Sequence, residues 1–176
     1  MVILCRSATK GMVISMDNIF THETNFISGS GDAVRIEDIA ERVAAFLDGC
    51  DDYTIEVGTD SQTSNMTKYV TAIVIHRRGK GGIFFYFPLE CKKMPYLRDR
   101  IYMETGLSIS CAAELLESFL DEDMMYDIII HCDVGPNGKT RELIREIVGY
   151  VTASGFDCKV KPEGTTACMV ADKFSK

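Results

Sequence analysis

Three carboxylates in this sequence stand where an acid needs a reason to be. Asp60 closes the alternating run Tyr53-Thr54-Ile55-Glu56-Val57, which ends in Gly58-Thr59-Asp60-Ser61. Asp133 follows the apolar run Ile128-Ile129-Ile130. Glu104 falls on the stripe that Leu97, Ile101, Cys111, Leu115 and Phe119 mark along a long helical segment, and Ser108 falls there too. Aspartates ending two neighbouring parallel strands reach one edge of a sheet, where open α/β sheets hold ligands. An inward glutamate needs a partner or a metal, because burying an unpaired charge is costly. Asp172, on a short helix near the end, is a fourth candidate.

Carboxylates converging on one point repel each other. A divalent cation relieves that repulsion and takes oxygen ligands readily, so magnesium or manganese is expected. Two such ions about 3.5–4 Å apart activate a water and stabilise the leaving oxygen of a phosphodiester. Each acid alone has a plainer reading. A strand-end aspartate is most often a turn residue, and an inward glutamate is most often paired with lysine or arginine. The grouping on the elements of one fold points to metal ligands. The expectation is a metal-dependent nuclease acting on RNA or DNA. Asp60 and Asp133 hold the metal, Glu104 completes the site and Asp172 assists.

The elements that must position these acids are readable from periodicity. Ile36, Ile39, Ala40, Val43, Phe46 and Leu47 recur at helical spacing before Gly49. Tyr53 opens a strand, and Tyr69 to His76 and Ile83 to Leu89 form a hairpin around Arg77-Arg78-Gly79-Lys80-Gly81-Gly82. Pro95 opens a helix to about Leu120, and Ile128 to Ile130 is a strand of the kind buried in a parallel sheet. A helix through Leu143, Ile147 and Val151 stops at Gly155, a strand through Phe156, Cys158 and Val160 follows, and a helix spans about Thr166 to Phe174. The order β, β, β, α, β, α, β, α predicts a mixed five-stranded α/β sheet, antiparallel on one side and parallel on the other, with flanking helices. Ser28-Gly29-Ser30-Gly31 reads as a linker, dividing an N-terminal extension, 1–31, from a single domain, 32–176, that includes an N-terminal helix.

Basic residues offer a track for a nucleic-acid backbone. Lys92, Lys93, Arg98 and Arg100 interleave with Tyr96 and Tyr102, and Lys159, Lys161, Lys173 and Lys176 add charge near the other end. Ser61 and Gln62 stand beside Asp60 to touch the sugar-phosphate backbone. Asp133-Val134-Gly135-Pro136-Asn137-Gly138-Lys139-Thr140 comes close to a phosphate loop, but Asp133 replaces its first glycine and would repel phosphate. The helix start after it can still hold one phosphate, with Lys139 and Arg141 nearby. His22, His76 and His131 show neither metal nor triad spacing, and His131, within an apolar strand, reads as structural.

The net charge of −7 argues against a protein that coats nucleic acid by bulk charge. The acidity is local: residues 1–66 hold 11 acids and 4 lysines and arginines, and the remainder balances at 15 of each. Seven scattered cysteines without a CxxC read as buried or free thiols in a reducing cytoplasm. No apolar run approaches the roughly 20 residues of a membrane span.

Taken in order, Val57-Gly58-Thr59-Asp60-Ser61-Gln62, Arg100-Ile101-Tyr102-Met103-Glu104-Thr105, Asp133-Val134-Gly135 with Lys139-Thr140-Arg141-Glu142, and Lys161-Pro162 with Ala171-Asp172-Lys173-Phe174-Ser175-Lys176 resemble the YkuK-type family of bacterial and phage proteins, within the RNase H-like superfamily. The resemblance covers the chain from about residue 34. It implies an RNase H-like fold and metal-dependent nuclease chemistry. Asp60 is then like the first-strand acid, Glu104 the acid of the first helix, Asp133 the fourth-strand acid and Asp172 the late-helix acid. Two alternatives stand beside this: a non-catalytic nucleic-acid-binding module on the same fold, and an interaction protein that meets a basic partner through its acidic N-terminal third.

Overall fold

The computed structural model describes residues 19–121, 124–137 and 139–176, together with the strand pairings of residues 2–3, 5–7 and 14–15. The remaining residues of the expected N-terminal extension and Gly138 lie outside the described residues. The elements in chain order are β1 (Val2–Ile3), β2 (Cys5–Ser7), β3 (Ile14–Ser15), β4 (Asn25–Ser28), β5 (Ala33–Arg35), α1 (Ile36–Leu47), β6 (Tyr53–Thr63), β7 (Met66–Arg77), β8 (Gly81–Lys92), α2 (Leu97–Asp121), β9 (Ile128–Cys132), α3 (Ile144–Ala153), β10 (Asp157–Val160) and α4 (Thr166–Ser175). A 3-10 turn, Arg141–Leu143, leads into α3.

The expected mixed sheet is present in the order β10-β9-β6-β7-β8, and it continues into β4 and β5, with β2 also pairing β8. β6, β7 and β8 pair antiparallel, whereas β9 runs parallel to both β6 and β10. The stretch expected as a linker is instead a tight turn between β4 and β5. The Ser28 N–H donates to the Asp32 carbonyl at 2.8 Å, and Gly31 takes a φ of 95° that a side chain would disfavour. β4 is held on the outer edge of β8 through Ile27↔Tyr86 and Ser28↔Phe85. Four residues, of which only Phe26 and Ser28 are buried, are too short to show a period, which is why the sequence pattern missed this strand.

Alternation sorts the strand side chains onto two faces. One face carries Ile55, Val57, Tyr69, Ile73, Ile75, Ile128 and Ile130, packed with Val43 of α1, Leu107, Leu115 and Phe119 of α2, and Ile147 and Val151 of α3. The inward stripe of α2 is as expected, with Ile101, Cys111, Leu115 and Phe119 all buried. Fully burying one such side chain contributes about 1.5–3 kcal/mol. The opposite face is covered by α4, where Ala171 and Phe174 meet Val70, Ala72 and Tyr86. The Phe174 and Tyr86 rings stack with centroids 3.9 Å apart and planes 8° apart. Lys68 Nζ donates to the Phe174 carbonyl at 2.5 Å, satisfying the end of the helix.

Close approach of α4 depends on Gly58. A Cβ there would lie 3.0 Å from Ala167 Cβ and 3.1 Å from the Cys168 amide nitrogen. Among the described cysteines, Cys50, Cys111, Cys132, Cys158 and Cys168 are free thiols. Cys91 is disulfide-bonded, so the expectation of buried or free thiols is corrected at that residue. Among the described residues no helix is long and apolar enough to cross a membrane.

Candidate active site

Asp60 does not end its strand, as the sequence pattern suggested. It lies within β6, paired with Val70 of β7, three residues before the strand's end at Thr63. What ends near Asp60 is the parallel part of the sheet. The pairing of β6 with β9 stops at Gly58↔His131, and that of β9 with β10 at Cys132↔Val160. Continuing those registers puts Asp60, Asp133 and Lys161 side by side across three strands. Alternation turns Asp60 toward the same face as Gly58, the face that α4 covers.

A cleft of about 270 Å³ opens there, lined by Asp60, Asp133, Lys161, Thr165, Cys168, Met169 and Asp172. α4 contributes the far wall. The Ser175 hydroxyl donates to Asp60 Oδ2 at 2.8 Å, and Lys176 Nζ pairs with Asp172 Oδ2 at 2.7 Å. Lys161 Nζ forms an ion pair with Asp133 Oδ1. Burial raises the carboxyl of Asp60 above the usual range. The Ser175 hydrogen bond opposes that shift, and the charges of Asp172 and Asp133 add to it.

Glu104 approaches from the other side of β6. The Ser61 hydroxyl donates to Glu104 Oε1 at 2.5 Å, and Ser108 Oγ, one turn along α2, lies 2.9 Å from both Thr59 Oγ1 and the Glu104 carbonyl. Part of the Glu104 side chain remains accessible, while its carboxyl is densely surrounded by protein. Burial pushes that carboxyl up to about 8; the Ser61 hydrogen bond pulls it down, and Asp60 and Asp133 push it further up. All four expected acids therefore gather at one edge of the sheet, three lining the cleft and Glu104 behind the strand that carries Asp60.

The expected nucleic-acid contacts are more dispersed. Ser61 is committed to Glu104, and Gln62 is exposed on β6. Lys92 ends β8 opposite Met66, next to the β6–β7 turn. Arg98 donates to Glu146 of α3 at 2.7 Å, so part of the basic strip is spent on an exposed ion pair. Lys139 and Arg141 are exposed beyond Asp133. The Gly135 N–H, a candidate phosphate donor, is taken by Thr140 Oγ1 at 3.2 Å. His131 is buried and accepts a 3.4 Å hydrogen bond from the Ala167 N–H at Nδ1, with Glu56 3.7 Å away. Burial lowers its pKa. It anchors the start of α4 and so indirectly sets the cleft wall.

Lys161 and Ser175 were not singled out as site residues by the sequence reading. Lys161 stood in the sequence only as one of the basic residues and in the Lys161-Pro162 motif, with nothing to place it beside Asp133. Ser175 stood only within the closing motif, and its pairing with Asp60 was illegible because that partner is 115 residues away.

The donor set suits a hard divalent cation, being oxygen-rich and strained by like charge. Among the described residues, no three histidine, cysteine, aspartate or glutamate side chains already converge into a metal cage. Magnesium does not require one, because it is commonly held by one or two carboxylates together with waters and substrate phosphates. Asp60 and Asp133 fit that role, with Asp172 facing them.

Antiparallel strands followed by parallel ones, with acids at the edge where the parallel part ends, define a ribonuclease H-like protein. The chain belongs to that family: the family described as Ribonuclease H-like matches residues 37–176. Over 158 residues the chain is 33% identical to "Uncharacterized protein YkuK" of Bacillus subtilis (strain 168), which spans 80% of this chain and 90% of that protein. No solved structure matches the chain.

Proposed function

We propose that this protein is a metal-dependent nuclease that hydrolyses phosphodiester bonds in RNA or DNA. The observation that carries the reading is the row of Asp60 and Asp133 at one sheet edge, faced across the cleft by Asp172 and backed by Glu104. Asp60 and Asp133 would hold magnesium or manganese, and Asp172 would contribute through bound water. The cation would supply Lewis-acid activation of a water and charge stabilisation at the scissile phosphate.

The chain's own residues account for the rest. Ser61 holds the Glu104 carboxyl by a hydrogen bond from β6. Burial and the charges of Asp60 and Asp133 raise the Glu104 carboxyl to about 8, and a cation held by those aspartates would oppose their part of that shift, so Glu104 would complete the charge balance of the site from behind β6. Ser175 orients the Asp60 carboxylate. Gln62, Lys92, Lys139 and Arg141 are exposed and available to a backbone passing over this edge, and Arg98 would exchange Glu146 for phosphate.

The test uses labelled single-stranded DNA, single-stranded RNA, both duplexes and the hybrid, in magnesium and in manganese. Cleavage by the parent protein that Asp60→Asn and Asp133→Asn both lose is the expected result. No cleavage of any substrate by folded protein would overturn the nuclease reading. It would favour a non-catalytic nucleic-acid-binding module, a second reading supported by the ion pair that already neutralises Asp133.

A further inference from the structure

Lys161 is the basic side chain among the described residues that line the cleft. Its placement is constrained from both ends. Its backbone N–H donates to the Val134 carbonyl at 2.9 Å, tying it to the segment just past Asp133. Gly135 leaves room for its stem: a Cβ at that glycine would lie 3.0 Å from Lys161 Cβ. The stem is thus led into the row of acids, and the ammonium meets Asp133.

That ion pair is open to exchange. The Lys161 side chain is 51% accessible and that of Asp133 30%, so water competes for both partners. Such pairs shift a binding equilibrium by no more than about fivefold. A divalent cation carries twice the charge and gathers several oxygens at once, so it outcompetes one ammonium for Asp133. The displaced ammonium stays within reach of the cleft, since its backbone is tied to the segment just past Asp133. A phosphodiester entering beside three aspartates needs a positive partner in addition to the cation.

Resting on the metal-site reading above, we infer that Lys161 is the phosphate-anchoring residue of this cleft, held on Asp133 until a divalent cation takes its place. The same side chain acts as a stand-in for the cation before binding and as a ligand for substrate phosphate afterwards. Lysine suits both states, being a compact charge on a flexible stem.

The experiment compares the full chain with Lys161→Met, which keeps the stem, and Lys161→Arg, which keeps the charge. Manganese is titrated by calorimetry without nucleic acid. Dimethyl phosphate is then added to the manganese-saturated protein, and its binding is read by phosphorus relaxation. Lys161→Met should bind manganese about two- to fivefold more tightly, because its competitor is gone. It should bind dimethyl phosphate several-fold more weakly, and Lys161→Arg should restore that binding. Unchanged or weaker manganese affinity in Lys161→Met, at a parental melting temperature, overturns the inference and leaves the metal site standing. So does undiminished dimethyl phosphate binding. Failure of the parent itself to bind manganese would remove the metal site and this inference together.

Discussion

Replacing Glu104 by glutamine tests whether the site stores the electrostatic strain that a cation would relieve. The Glu104 carboxyl is pushed from 4.5 up to about 8, first by burial and then by Asp60 and Asp133 against the Ser61 hydrogen bond. Between those values the native protein keeps a proton that the unfolded chain has released. Stability from this group is therefore full below the unfolded pKa and is lost as pH rises through the folded one. Each pKa unit corresponds to about 1.4 kcal/mol, so complete burial would cost the native state about 5 kcal/mol by pH 9. Part of the side chain is accessible, and solvent screening reduces the expected cost to about 2–4 kcal/mol. Glu104→Gln cannot titrate, yet keeps an oxygen to accept the Ser61 hydroxyl. Urea denaturation of both proteins without divalent cation, at intervals from pH 5 to 9, measures the difference directly. The variant should match the parent near pH 5 and exceed it by about 2–4 kcal/mol near pH 9, other titrating groups cancelling in the comparison. Parallel profiles would refute the argument, because they would mean that Glu104 ionises in the native protein as it does in the unfolded chain.

Two further outcomes follow from the same geometry. Gly58→Ala should destabilise by about 1–3 kcal/mol, read as a lowered melting temperature, because a Cβ 3.0 Å from Ala167 Cβ and 3.1 Å from the Cys168 amide nitrogen forces α4 to give way slightly against the sheet. Magnesium at about a hundred times its dissociation constant should add about 2.7 kcal/mol of stability to the parent protein, and that increment should vanish in Asp60→Asn.

Much of the scaffold was legible because its signals are local. The alternation from Tyr53 to Val57, the apolar Ile128 to Ile130 and the stripe from Ile101 to Phe119 each repeat within one element, so periodicity reveals them without knowledge of the partner. The same patterns put Glu104 on an inward face and Asp133 just past a buried strand. Asp60 was located correctly in space but not in its strand. β6 continues to Thr63 because β7 pairs with it along its whole length, and Gly58-Thr59-Asp60-Ser61 read as a stop only in isolation. β4 and β5 were missed because strands of four and three residues owe their form to neighbouring strands rather than to a pattern of their own.

The amino-acid sequence by itself determined much of the succession of strands and helices, the faces they bury, and the acids they carry, since hydrophobic period and backbone preference act over a few residues. Only the tertiary structure decided that Asp60, Asp133 and Lys161 form one row, that α4 closes over it through Ser175, and that Ser61 fixes Glu104 from the opposite face. Those contacts join residues from about 30 to more than 100 positions apart. Their register is set by strand pairing and by the close approach that Gly58 and Gly135 permit, which no short-range pattern records.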